Sequence, residues 1–287
     1  MEIHARQRVI ELSGRPLVMG IVNVTPDSFS DGGLYFDCQS AVAHALRLVE
    51  EGADLLDIGA ESTRPGAIPI GETEELHRLI PVITEIAKAV PVPISVDTSK
   101  ASVAKAAIDA GAVIVNDVTA LRGDPAMTDL VAKTEAGLVL MHMRGTSQTM
   151  HEPQAYDDVV EDVAGFLLER ALYARERGVG QYQIILDPGI GFGKVLGENL
   201  DLLARLHRFT KLGYPVLVGP SRKSFLGQLT GRPVQDRVWG TAAVVAMAVD
   251  QGAQILRVHD VGAMRDVVKV SVAIKSHKSS FLRELHA

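Results

Sequence analysis

The chain has 287 residues, with hydrophobic residues at 47%, 35 Asp and Glu against 29 Lys and Arg, and a formal charge of -6. That balance excludes a broad basic field for nucleic acid or an anionic membrane, so an anionic ligand must be met by a local basic cluster. A single cysteine, Cys38, rules out an intrachain disulfide and a CxxC metal site, and the chain has neither a signal-peptide pattern nor a membrane-length apolar run, so a cytoplasmic setting is expected.

Val9 to Leu12 reads as a short leading strand. Eight further strands are predicted: Leu17–Asn23, Leu55–Gly59, Ile94–Asp97, Val113–Asp117, Leu138–His142, Ile184–Asp187, Val216–Gly219 and Ile255–His259. Each is a short apolar run rich in Val, Ile and Leu, the pattern of a strand buried on both faces. Between them, helical periodicity predicts helices over Ser40–Glu51, Thr73–Ala89, Ala101–Ala110, Pro125–Glu135, Tyr156–Arg177, Asn199–Lys211 and Trp239–Asp250, with a last one over Ala263–Ser276. Gly52, Gly111, Gly137, Gly178, Gly213 and Gly252 follow the helical stretches, where a left-handed residue ends a helix. Repeated βα units imply a parallel sheet, and eight of them favour one closed (β/α)₈ barrel over residues 1–287. Periodicity leaves an open doubly wound sheet as the alternative.

In a barrel, chemistry gathers at the C-terminal ends of the strands. Those ends carry Asn23, Asp57, Asp97, Asn116-Asp117, His142, Asp187, Ser221-Arg222-Lys223 and Arg257-Val258-His259. Any one Asp or Asn there reads equally well as a helix cap, but the whole set points to one pocket. Arg257 and His259 are two apart on one strand, so both face the same side, a spacing that suits an anion clamp. Long loops follow the first two strands, Thr25–Gly33 and Glu61–Gly66, and loops of this kind are often lids. Asp187-Pro188-Gly189-Ile190-Gly191-Phe192-Gly193-Lys194 matches neither a Walker loop nor GxGxxG, so it reads as a flexible wall around a flat ligand.

The run from Gly20 to Gly33 (GIVNVTPDSFSDGG) resembles the signature of dihydropteroate synthases, as does Asp57 to Gly66 (DIGAESTRPG). Ser95-Val96-Asp97-Thr98, Asn116-Asp117-Val118, Met141-His142-Met143, Asp187 to Lys194, Ser221 to Gly227 and Arg257-Val258-His259-Asp260-Val261 continue the likeness in the family's order. One departure is Arg144, where the family commonly has glutamine.

The resemblance implies a TIM barrel and a homodimer. It implies condensation of (7,8-dihydropterin-6-yl)methyl diphosphate with 4-aminobenzoate to dihydropteroate and diphosphate, with Mg²⁺ as cofactor and sulfonamides as inhibitors. The pterin would meet Asp97, Asn116, Met141, Asp187, Gly219 and Lys223. The diphosphate would meet Asn23, Thr63, Arg64, Arg257 and His259, with Asn23 as the Mg²⁺ contact. Phe29, Thr63, Pro65, Phe192 and Ser224 would hold 4-aminobenzoate, while Asp31 and Arg64 close the lid loops. Asp97, Asp187, Lys223, Arg257 and His259 would carry the chemistry, a dissociative substitution in which anionic Asp97 and Asp187 stabilise a pterin methylene cation. His142 is expected to be a structural or orienting residue rather than a base. Two alternatives share the pterin residues: a binding paralogue without synthesis, and a methyltetrahydrofolate:corrinoid methyltransferase, which has no use for a diphosphate clamp.

Overall fold

The computed structural model describes residues 1–24, 34–61, 70–145, 149 and 156–284. Its frame is a ring of eight parallel strands. In chain order these are β3 (Leu17–Asn23), β4 (Leu55–Gly59), β5 (Ile94–Asp97), β6 (Ile114–Asp117), β7 (Gly137–Met141), β8 (Ile184–Asp187), β9 (Leu217–Val218) and β10 (Ile255–Val258). The order around the sheet is β8-β7-β6-β5-β4-β3-β10-β9, and a parallel bridge from Leu186 to Val216 brings its two edges together. Leu186 N–H donates to the Pro215 carbonyl at 2.8 Å across that seam. The ring is therefore a nearly closed barrel, and the open-sheet alternative falls.

The leading strand predicted over Val9–Leu12 proves to be half of an antiparallel hairpin, β1 (Glu2–Ala5) with β2 (Arg8–Glu11). Its turn contains Arg6 at φ 59°, a left-handed position filled without glycine or asparagine, so the usual turn signal is absent. Ile3 and Ala5 of β1 are fully buried with Met19, Leu55, Ile114, Val139, Ile185, Leu217 and Ile255. The hairpin thus plugs the N-terminal end of the barrel, and those strand residues form the inward layer above it. Gly137 does not end a helix as predicted. Glu135 takes the left-handed position at φ 56°, and Gly137 opens β7, where a Cβ would stand 3.0 Å from Ile114 and 3.4 Å from Ala5.

Around the ring run α1 (Leu34–Glu50), α2 (Glu72–Ala89), α3 (Ala101–Ala110), α4 (Ala126–Thr134), α5 (Val159–Glu176), α6 (Leu196–Ala204), α7 (His207–Thr210), α8 (Ser224–Thr230), α9 (Val238–Asp250) and α10 (Val261–Glu284). Outward residues such as Val18, Val22, Leu56, Ile58 and Val96 pack beneath them in one continuous core. The helix expected from Tyr156 begins at Val159, because the Asp158 carboxylate accepts from the N–H groups of Val160 and Glu161 and caps it there. The single helix expected over Asn199–Lys211 is divided. Bonds from Arg208 N to Arg205 O and from Phe209 N to Leu206 O tighten the chain at the break and bury Phe209 completely. Seven-residue α8 lies outside the predicted helices, because so short a run carries no clear helical period. Among the described residues, no helix is long and apolar enough to cross a membrane.

Candidate active site

Strand periodicity builds the site. On β4 the inward layer at the plug is Leu55, so Asp57 faces inward two residues later. The same step leads from Ile114 to Asn116, Val139 to Met141, Ile185 to Asp187, Leu217 to Gly219 and Ile255 to Arg257. One apolar layer thus carries, one step towards the mouth, a layer of carboxylates, an amide, a thioether and a guanidinium. Asp117 and His142 fall on the opposite parity. Asp117 is a cap: its Oδ1 accepts from Thr119 N–H and Oγ1, and its Oδ2 from Leu121 N–H. The His142 ring packs edge-on against Phe166, with centroids 4.9 Å apart, and burial drives its pKa down to about 2. Its imidazole is therefore neutral.

Arg257 sits at the centre of the inward layer. Its Nε donates to Asp57 Oδ2 at 2.5 Å and its Nη2 to Asp97 Oδ2 at 2.9 Å. Asp57 is wholly buried, and its Oδ2 also accepts from Asn116 Nδ2 at 3.1 Å. On the far side, Asp187 Oδ1 accepts from Gly189 N–H at 2.7 Å. That bond closes a turn in the loop rather than capping a helix, since α6 begins only at Leu196, and it occupies one of the two carboxylate oxygens. Lys223 Nζ lies 3.6 Å from the centroid of the Phe192 ring, and Phe192 packs with Met141 and Met143.

Burial displaces the titration of most of these groups. It raises Asp97, with the Asp57 carboxylate adding to it and Arg257 opposing. It lifts Asp187 to about 6, against the Gly189 N–H and Lys223. Lys223 falls to about 7, through burial first and then the neighbouring Arg257. His259 falls to about 3 for the same two reasons, so its imidazole is neutral. Ser221 Oγ accepts from the His259 backbone N–H at 3.1 Å and lies 2.9 Å from its Nδ1. The two contacts hold the imidazole of His259 against Ser221 at the mouth.

The loop after β8, expected as a wall around the ligand, is wound around one lysine. Gly189, Gly191 and Gly193 all take positive φ, and the turn they form wraps Lys194. Its Nζ donates to the carbonyls of His142, Gly189 and Phe192 at 3.2, 2.9 and 3.1 Å. A Cβ on Gly189 would stand 1.9 Å from the His142 carbonyl oxygen, so only glycine permits this closeness. Arg144, the departure noted in the sequence, pairs with Glu198 at 2.9 Å and stacks on Tyr156, tying the end of β7 to α6.

The pterin binding enzyme family matches residues 19–259, which is most of the barrel. A curated relative from Synechocystis, named dihydropteroate synthase, is 44% identical over 269 residues, covering 93% of each chain. The chain belongs to the dihydropteroate synthase family of pterin-binding enzymes. Among solved structures, the Xanthomonas albilineans dihydropteroate synthase with 4-aminobenzoic acid superposes with a TM-score of 0.90 at 49% identity, covering 96% of this chain and 98% of that one. The Yersinia pestis dihydropteroate synthase in a sulfonamide complex gives 0.90 at 44%, covering 96% and 100%.

In this member of the family, Asp97, Asn116, Met141, Asp187, Gly219, Lys223, Phe192, Arg257 and His259 gather around one barrel mouth. Asn23 ends β3 and is exposed there, and Ser224 is exposed at the first position of α8. Phe29, Asp31, Thr63, Arg64 and Pro65 lie outside the described residues. Three contributors had no assigned role in the sequence. Asp57 stood among the polar strand ends but without a ligand. Ser221 precedes the more conspicuous Arg-Lys pair. Lys194 ends the glycine-rich run, and its three carbonyl partners come together only in the folded loop.

Proposed function

We propose that the chain joins (7,8-dihydropterin-6-yl)methyl diphosphate to 4-aminobenzoate, giving 7,8-dihydropteroate and diphosphate in folate biosynthesis. One observation carries this reading: an inward ring of Asp97, Asn116 and Asp187 shares its mouth with Lys223, Arg257 and His259 in a chain of this family. The first three suit the donor-rich edge of a pterin, with Met141 and Gly219 against its faces and Lys223 at its carbonyl. Arg257 and the imidazole of His259 suit the diphosphate, as do Thr63 and Arg64. Phe29, Thr63, Pro65, Phe192 and Ser224 are the proposed contacts of 4-aminobenzoate, and sulfonamides are the expected competitors for them.

In the reaction, the methylene C–O bond breaks and its electron pair leaves with diphosphate. Asp97 and Asp187 stabilise the cation that remains on the pterin methylene. The amine nitrogen of 4-aminobenzoate then forms the C–N bond and gives up one proton to diphosphate or solvent. Asn23 supports the Mg²⁺ expectation, because its exposed amide oxygen is the kind of lone hard ligand that Mg²⁺ accepts beside phosphate oxygens and water. Bound there, the ion would neutralise the charge developing on diphosphate. A homodimer fits Trp239, 81% exposed on α9, together with exposed Met247 on α9 and exposed Val270 and Ile274 on the neighbouring α10. Light scattering should give twice the mass of the chain, and a single-chain mass would remove the dimer from this reading. The lone Cys38, with no disulfide to form, supports a cytoplasmic location.

The deciding assay is release of diphosphate from the pterin diphosphate and Mg²⁺, with and without 4-aminobenzoate. Release that requires 4-aminobenzoate and yields dihydropteroate is the expected result. Tight pterin binding without product would leave a binding paralogue.

The shifted groups predict a pH profile. Asp187, raised to about 6, is protonated below that pH and loses its negative charge. Lys223, lowered to about 7, loses its proton above that pH. In the free enzyme kcat/KM for the pterin diphosphate should therefore be bell-shaped, with an acid limb from Asp187 and Asp97, which burial also raises, and an alkaline limb from Lys223. Lys223→Arg keeps its charge at every accessible pH and should abolish the alkaline limb. An alkaline limb unchanged in that variant would show that Lys223 is not the group responsible.

A further inference from the structure

Asp57 is the one buried charge of the inward layer to which neither the pterin, the diphosphate nor 4-aminobenzoate has been assigned. Its Oδ2 takes two donors, Arg257 Nε and Asn116 Nδ2, while its buried Oδ1 has no partner among the described residues. The adjacent residue in register on β5 is Ser95, whose buried Oγ is likewise unpartnered. Asp57 thus holds two groups of the inward layer at once, Arg257 and Asn116.

Those groups have a competing claim on them. Ligand-free, Arg257 rests on both Asp57 and Asp97. When the pterin edge takes Asp97, the Nη2 contact is given up, and the guanidinium would swing unless something else held it. Nε is out of reach of a diphosphate gripped by the two terminal nitrogens, so its bond to Asp57 can persist throughout. The same oxygen settles the amide of Asn116. A carboxylate only accepts, so the NH₂ of Asn116 must face Asp57 and its carbonyl oxygen must face away, as an acceptor.

We propose that Asp57 is a positioning residue that anchors Arg257 through Nε and fixes the Asn116 amide while Asp97 exchanges Arg257 for the pterin. The proposal rests on the reading of Arg257 as a diphosphate contact and of Asn116 as a pterin contact. What Asp57 supplies is an acceptor at one point, so a neutral acceptor of the same shape should replace it. Asp57→Asn is expected to keep kcat within about threefold of the parent. Asp57→Ala is expected to lower it about tenfold or more, the usual effect of removing a hydrogen bond to a charged group. Should the alanine variant not fold, Asp57→Leu fills the space without an acceptor and is expected to show the same loss.

The test measures kcat for these variants in the parent and in an Arg257→Lys background, together with the affinity of inorganic pyrophosphate by calorimetry. Lysine keeps the charge but has no planar fork to hold. The loss caused by Asp57→Ala or Asp57→Leu should therefore shrink below about threefold in that background. Equal losses in both backgrounds would mean a general structural role and overturn the proposal. So would an alanine or leucine variant with parental kcat, or an asparagine variant as damaged as these. Pyrophosphate affinity separates the two levels. If Arg257→Lys binds pyrophosphate as the parent does, the clamp reading falls and this proposal with it. If Arg257→Lys loses affinity but the Asp57 variants follow none of the pattern above, only the role of Asp57 falls.

Discussion

Arg257→Met is expected to destabilise the barrel by roughly 3–5 kcal/mol near neutral pH, the magnitude found when one member of a buried ion pair is removed. Arg257 faces two carboxylates at once. Asp57 is fully buried and Asp97 has a tenth of its side chain exposed, so neither can turn to water when the guanidinium is lost. Protonation is the relief left to Asp97. Burial already raises Asp97, and without Arg257 its opposing effect disappears, so the folded state of the variant binds protons more tightly still. The sign of the pH dependence follows. A carboxyl whose folded pKa lies above its unfolded value takes up protons on folding, so stability falls as pH rises between the two values. The deficit of Arg257→Met against the parent should therefore be smallest near pH 4 and widen toward pH 8. Denaturant melts at several pH values measure it. A deficit that does not change with pH would mean that the carboxylates are not what the arginine holds.

Much of this site was legible because the barrel makes function periodic. Once Leu55, Ile114, Val139, Ile185 and Ile255 are recognised as inward residues, the side chains two positions on must face the mouth, and these are Asp57, Asn116, Met141, Asp187 and Arg257. Partner choice within the ring was not legible. Asp57 and Arg257 are 200 residues apart, and no local pattern says that this carboxylate takes Nε while Asp97 takes Nη2. The brace on Lys194 was hidden for a related reason. Its partners are backbone carbonyls, which every residue has, so the sequence marks only the glycines that let the loop wind tightly. The plug at the other end was half seen. β2 carries enough Val and Ile to read as a strand, whereas β1 is two polar residues alternating with Ile3 and Ala5, joined through a turn at Arg6 with no turn signature. Its burial belongs to tertiary structure: Ile3 and Ala5 are apolar enough only because the barrel floor needs a cover.

Asp97→Asn is expected to lower kcat by about 10²–10³, the range seen when one preorganised electrostatic group is removed from a developing charge. The contrast with Asp57→Asn tests how the two carboxylates differ. Both would keep an acceptor oxygen, so loss of a hydrogen bond is not the issue at either position. Asp57 lies one step deeper on its strand, and its charge is spent on Arg257 in every state, so making it neutral changes little at the pterin. Asp97 has its Oδ2 on Arg257 only until the pterin arrives. After that its full charge faces the ring in a site where burial keeps the dielectric low, and a cation forming on the methylene gains from it directly. An amide there still reads the pterin edge, so ground-state binding should suffer far less than turnover, and KM for 4-aminobenzoate should barely move. Single-turnover release of diphosphate at saturating substrate gives the comparison. A kcat within about threefold of the parent would remove charge stabilisation by Asp97 from the mechanism and leave it as a binding group alone. A large rise in the pterin dissociation constant with unchanged turnover would say the same.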